Sequence, residues 1–280
     1  MTEMNMLDRF LGWRKRKIPD STFILLLSAV IGFLVGIGAV IIRSMVNLIH
    51  ELLHGGFNLE HYNIFYLILP VTGVLLTVIF TRYILRQEVG HGIPGVLFAI
   101  SKTNGRIKGH NMYSSIIASA LTVGFGGSVG LEGPTVATGA AIGSNLGRKL
   151  RLNYKQILTM LGCASAGAMA AIFKAPIAAI VFALEVIMLN LTMSSLVPLL
   201  IASVTASLTS YVFLGQNVLY SFTLRHAFVV GEVPYYILLG LFTGFVSVYF
   251  TRMYIFVADR FAKIGSWLRG LSRKSFLLPD

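Results

Sequence analysis

The chain has 280 residues, of which 55% are hydrophobic and only 12% charged, and a formal net charge of +12. A soluble domain of this size lacks the polar surface such a composition would need, so the sequence predicts an all-α polytopic membrane protein. Nucleic-acid binding is excluded in spite of the positive charge. The Lys and Arg residues fall in short clusters between apolar runs, not along one stripe.

Residues 1–20 form a basic, partly amphipathic segment carrying Phe10, Leu11 and Trp13, expected to lie on the cytoplasmic face of the cell membrane. Arg14 to Lys17, ahead of an apolar run, imitate a signal peptide. The run is too long for one, and no small-residue cleavage site comes before Arg43. Residues 21–232 are expected to make a first membrane repeat, beginning with a span from Phe23 to Ile42. Gly32, Gly36 and Gly38 there have the small-residue spacing that permits close helix approach. A wet outer loop is expected from about His50 to Asn63. His50, Glu51 and His54 spell the letters of a zinc-protease helix but lack a third ligand and a cleft, so no metal is expected. The second span runs from Phe65 to Leu85 and ends at Arg82 and Arg86.

A glycine-bracketed stretch, Glu88 to Val96, then opens an apolar run too short to cross a bilayer. It is expected to be a re-entrant half-helix. Tyr113 to Val123 leads to five glycines between Gly124 and Gly133, followed by a small-residue helix with Pro134 in its first turn. Ile157 to Phe173 and Ala175 to Leu189 are two short helices broken at Lys174 to Pro176, and Ser194 to Leu214 is a further span. The solitary Cys163 sits in one of these apolar helices as a small core residue and rules out a disulfide within the chain. Residues 233–265 are expected to form the first helix of a second repeat, because Ile31-Gly-Phe-Leu-Val-Gly36 returns as Leu239-Gly-Leu-Phe-Thr-Gly244. Residues 266–280 are a basic cytoplasmic tail. With a cytoplasmic N-terminus and alternating spans, every Lys and Arg except Arg43, Lys174 and Arg225 falls on the cytoplasmic side.

The stretch from Gly124 to Arg151 carries the chemistry. Glu132 stands where the helix begins, with no Asp, Glu, Lys or Arg between Lys108 and Glu132 or between Glu132 and Arg148. The first N–H groups of a helix lack partners and bear partial positive charge, so a glycine-rich turn into a helix N-terminus makes an anion site without a cationic side chain. In membrane transporters, interrupted helices meeting near the midplane do this for desolvated anions. Glu132 is then the protein's own anion, able to occupy the site or, once protonated, to leave it.

Three segments, Gly90-His-Gly-Ile-Pro94, Gly127-Ser-Val-Gly-Leu-Glu-Gly-Pro134 and Phe173-Lys-Ala-Pro-Ile-Ala-Ala-Ile-Val-Phe-Ala-Leu-Glu185, resemble in type and order the motifs of the CLC family of chloride channels and proton-coupled chloride transporters. The resemblance covers about residues 20 to 265. It implies a CLC-like broken-helix, inverted-repeat architecture, here with the second repeat truncated, assembled as a homodimer with one pore per subunit. It makes Glu132 the gating acid. His91, Gly92, Ile93, Pro94, Gly130, Leu131, Gly133 and Pro134 become the anion-binding loops. His91 stands where many members have serine, either donating an imidazole N–H to the anion or only capping the helix. Leu131 replaces the Arg or Lys that members often carry beside the gate. Val186 aligns with the inner proton-accepting glutamate, next to Glu185, which favours uncoupled chloride conductance. Glu185 otherwise serves a proton pathway, or is a plain helix-end carboxylate. Lys174 is an intramembrane cation, functional or neutralising a helix C-terminus.

The alternatives are a proton-coupled chloride or fluoride antiporter and, from a different class, an inactive membrane assembly subunit or truncated fragment. An enzyme is not expected. Gly126-Gly-Ser-Val-Gly130 spells a nucleophile elbow, but an apolar helix precedes Ser128 where a strand is required and no His follows until His226. A phosphate loop fails for want of a Lys-Ser/Thr pair after the glycines. Neither a cofactor nor a catalytic residue is called for.

Overall fold

The structure is a computed structural model and describes residues 6–56, 65–87, 92–187, 193–215 and 229–275. Ten α-helices account for most of the described residues, and no strand is found among them. Two compact units are present, residues 1–221 and 222–280.

In the first unit, α1 (Met6–Lys17) is separated from α2 (Asp20–Gly56) by Pro19, with Asp20 as the acidic first residue of α2. Arg14 fixes the corner. Its guanidinium is buried, pairs with Asp20 and lies 3.9 Å from the centroid of the Phe23 ring. At 37 residues, α2 is about 55 Å long. The expected loop is corrected in its first part: His50, Glu51 and His54 continue α2, because no Pro or Gly interrupts the sequence between Gly38 and Gly55, while 57–63 lie outside the described residues.

Next come α3 (Phe65–Ile79), which ends in a π-helical turn at Phe80–Leu85, and α4 (Gly92–Lys102). They are followed by α5 (Asn111–Gly124), α6 (Glu132–Lys149) and α7 (Tyr154–Phe173), and then by α8 (Pro176–Val186) and α9 (Met193–Leu214). Both α4 and α8 have 11 residues, about 16 Å of helix, half a bilayer at most. Within the described residues, Asp20–Leu53, Ile68–Leu85, Tyr154–Phe173, Ser195–Leu214 and Val230–Phe261 are long and apolar enough to cross a membrane. The protein is a multi-pass membrane protein.

The core is built on α7. Every residue from Met160 to Ala168 is buried, and nearly all are small. Asn153 and Gln156 start this helix with a reciprocal capping box, Asn153 Oδ1 accepting from the Gln156 N–H at 2.9 Å. Small residues set the helix directions. Gly32 faces Ala202, and a Cβ on Gly36 would lie 2.7 Å from Thr209 Cβ, so α2 and α9 run parallel. A Cβ on Gly143 would lie 2.7 Å from the Met160 carbonyl oxygen, while Gly139 faces Ala164 and Ala168, so α6 runs antiparallel to α7. Gly73 meets Phe125 and Thr77 meets Thr122, placing α3 antiparallel to α5. Membrane helices lack a strong hydrophobic drive to associate, and close backbone approach at small residues substitutes for it.

The turn between α4 and α5 is fastened to the basic end of α6. Ser144 donates to the Gly105 carbonyl at 2.6 Å and accepts the Ile107 N–H at 3.0 Å, and Asn145 donates to the Ile107 carbonyl at 3.2 Å. His110 closes this turn. Burial lowers its pKa from the ordinary 6.5, and the charge of Lys108 adds to the effect. Unfolded chain therefore takes up this proton more readily than folded protein. Stability is complete above about pH 6.5 and is lost as the pH falls through the depressed folded value. In detergent the melting temperature of the wild type is expected to drop more steeply below pH 6.5 than that of His110→Asn. Identical pH profiles would refute this.

In the second unit, a 3₁₀ turn at Val230–Glu232 leads into α10 (Val233–Ser275), where the Tyr236 hydroxyl donates to Glu232 at 2.8 Å. The helix does not stop at the expected boundary after residue 265. Most residues there, including Ala262, Lys263, Trp267, Leu268 and Arg269, tolerate helix, and the isolated Gly265 and Gly270 do not break it.

Candidate anion site

Two helix N-termini meet in the first unit. Gly92 begins α4 in the left-handed region, φ 61°, and a Cβ there would come within 3.5 Å of Gly133 Cα, the second residue of α6. Each helix has proline at its third position, Pro94 and Pro134. Proline has no N–H to leave unpaired, so the donors without a partner in their own helix are those of Gly92 and Ile93 on one side and Glu132 and Gly133 on the other. No side chain caps α6. Its N-cap is Leu131, whose carbonyl receives the Thr135 N–H at 3.0 Å and the Thr135 hydroxyl at 2.7 Å. Each helix end carries roughly half a positive charge, so their apposition favours an anion in front of both.

Glu132 is half-buried, and its carboxylate folds back over Gly130 so closely that a Cβ at Gly130 would collide with Oε2. Gly130 has no side chain, so the acid can lie across its own turn. A cavity of about 230 Å³ opens beside it, lined by Gly92, Gly130 and Pro134 and by the hydroxyl residues Thr77, Ser115, Ser119 and Thr122. Ser119 and Thr122 donate back into α5, to Ser115 O at 2.7 Å and Ala118 O at 3.0 Å. The buried Ser115 Oγ has no partner. Sequence reasoning missed this face. The signal was the spacing of Ser115, Ser119 and Thr122, which puts three hydroxyls on one side of an apolar helix.

The remaining candidates are placed as follows. His91 lies outside the described residues. Leu131 packs on an apolar patch of Ala39, Ala171, Ile172 and Ala206, together with Phe173. Pro94 is exposed and Ile93 half-buried. Lys174 is a left-handed C-cap to α7, φ 54°; its ammonium is buried, donates to the Gly215 carbonyl and stands 4.8 Å from the centroid of the Tyr211 ring. Glu185 is exposed near the end of α8, away from the buried face formed by Ala179 and Ala183. Ser128 is exposed and follows helix α5, so the strand of a nucleophile elbow is missing.

Gly92→Ala tests the junction. A side chain at φ 61° is strained by about 1–2 kcal/mol, and the added methyl covers the donors facing Gly133. A lower melting temperature with weaker chloride binding is expected; an unchanged protein would mean that the turn does not need its glycine.

Interrupted helices meeting at their N-termini, in a chain of apolar spans, define the class as a broken-helix membrane protein. The family model described as "Voltage gated chloride channel" matches residues 72–274. The chain belongs to this family, the CLC proteins. It is 32% identical over 183 residues to a ClcB-like protein of Ralstonia nicotianae, covering 64% of this chain and 42% of the relative. It is 26% identical to the H(+)/Cl(-) exchange transporter ClcA of Vibrio cholerae, covering 92% and 56%. A crystal structure of a CLC-type fluoride/proton antiporter superposes with a TM-score of 0.65 at 31% identity, covering 80% of this chain and 55% of that one. The chain thus spans about half the length of these three relatives.

Proposed function

We propose that the protein moves chloride or a similar small anion across the cell membrane through the junction of α4 and α6, with Glu132 as its gate, a cytoplasmic N-terminus and a homodimeric assembly. One observation carries this reading: two helix N-termini in contact, one of them, α6, without a side-chain cap and with a half-buried acid in its first turn. His91, beside Gly92, adds a donor to the anion. Val186 following Glu185 favours uncoupled conductance, since an apolar side chain there carries no proton. A second reading, proton-coupled exchange of chloride or fluoride with Glu185 as the inner proton carrier, is favoured by what two of the similar proteins are described as doing.

Purified chain in potassium chloride-loaded liposomes, with chloride efflux and external pH recorded together, separates the readings. Efflux without proton uptake is expected. Efflux tied to proton uptake at a fixed ratio selects the exchanger, and no anion flux from correctly inserted protein overturns the transport reading for this chain.

A further inference from the structure

Arg43 and Lys174 are two of the three basic residues outside the cytoplasmic clusters, and the fold brings them together. Ala39, one turn before Arg43, packs against Ala171, Ile172 and Phe173, which lead directly into Lys174. The two charges lie within electrostatic reach of each other. Arg43 is 23 residues into α2 from Asp20, about 34 Å along the helix, so the pair sits at the end of the span opposite the basic N-terminus.

Their environments differ. The Lys174 ammonium is committed to the Gly215 carbonyl at the end of α9 and to the face of Tyr211. Arg43 is only partly accounted for: its Nη1 is buried and has no hydrogen-bond partner. A guanidinium does not shed its proton, so this edge cannot be relieved by neutralisation as a lysine could be. An acceptor with negative charge would satisfy the donor and offset the repulsion between the two cations in one step. The apolar patch between them is the one on which Leu131, the residue before Glu132, also packs. Leu131, which precedes the acid, shares that patch with Ala39, one turn before Arg43, and with Phe173, the residue before Lys174.

We propose that Arg43 and Lys174 hold a second small-anion site, at the end of the span away from the basic clusters, which concentrates the anion beside the turn that carries Glu132. Binding at Arg43 stands by itself; the recruiting role rests on the Glu132 reading. A monovalent inorganic anion matches the single unpartnered guanidinium edge, Nη1 of Arg43, beside which the packed residues are apolar.

The test is chloride binding to the full chain in nonionic detergent, followed by the line broadening of the chloride-35 NMR signal and its reversal by bromide. Arg43→Gln is expected to weaken one component of binding about tenfold, the scale of one lost charge-assisted contact. Lys174→Gln is expected to weaken the same component less. Melting temperatures in chloride and in gluconate accompany each variant. A packing role alone lowers both equally, whereas the site predicts that the chloride-minus-gluconate difference shrinks. If Arg43→Gln does not fold, Lys174→Gln decides. Glu132→Gln, run in parallel, reports on the gate: an unchanged result there counts against the Glu132 reading and leaves the Arg43 site standing. Wild-type broadening in both Arg43→Gln and Lys174→Gln, or no chloride-dependent broadening in any form, overturns the proposal.

Discussion

Glu132→Gln is expected to flatten the pH dependence of anion flux and to hold the flux near the value the wild type reaches at its most acidic. The carboxylate lies over Gly130, just ahead of the first turn of α6, whose N–H groups no side chain caps. An ionised side chain there competes with a soluble anion for the same donors, and a protonated one does not. A single blocking carboxyl changes flux by at most about tenfold per pH unit, because the protonated fraction of one acid changes no faster than that. Glutamine keeps the shape and cannot acquire the charge, so the variant should vary by less than about twofold across roughly pH 4.5 to 7.5. The measurement is chloride efflux from liposomes with both forms side by side. Parallel pH profiles would show that Glu132 is a structural first-turn acid and that the site, if present, is ungated.

Most of the site was legible because its components are local. Two glycine-rich turns, each entering a helix with proline in the first turn, could be read from residues 90–95 and 124–135, and the absence of cationic side chains there pointed to main-chain donors. The contact between Gly92 and Gly133 was not legible, since forty residues of chain separate them and no periodicity encodes which helix ends meet. The extent of α2 was misjudged because the His and Glu residues after Ser44 look like a wet loop by composition, although each is compatible with helix and nothing terminates them before Gly55. The hydroxyl face of α5 was overlooked for another reason. Ser and Thr in an apolar helix usually donate back to their own backbone, as Ser119 and Thr122 do here, and only the unpartnered Ser115 Oγ sets the cavity apart. In sequence Arg43 is one of three basic residues outside the cytoplasmic clusters. Its relation to Lys174 depends on α2 running parallel to α7, which only the packing decides.

Within α2, two glycine substitutions six residues apart should shift stability in opposite directions. Gly32 presses on the backbone of Ala202 in α9, and a Cβ at Gly32 would overlap the Ala202 carbonyl oxygen. Backbone in a neighbouring helix cannot rotate away as a side chain can, so Gly32→Ala has to push α2 and α9 apart. Overpacking of this kind costs about 1–3 kcal/mol. Gly38 faces α6 instead, where a Cβ would meet Thr138 Cγ2 at 3.7 Å and Ile142 Cδ1 at 3.9 Å, ordinary contact distances. Replacing a glycine inside a helix by alanine then gains about 0.4–1 kcal/mol, chiefly by restricting the unfolded chain. Detergent melting curves should therefore put Gly32→Ala below the wild type and Gly38→Ala at or above it. The displacement also moves Arg43, eleven residues further along α2, so Gly32→Ala should weaken chloride binding at that end more than Gly38→Ala does. If Gly32→Ala melts with the wild type, the α2–α9 contact is looser than the structure has it, and the expected loss of chloride binding at Arg43 in that variant goes with it.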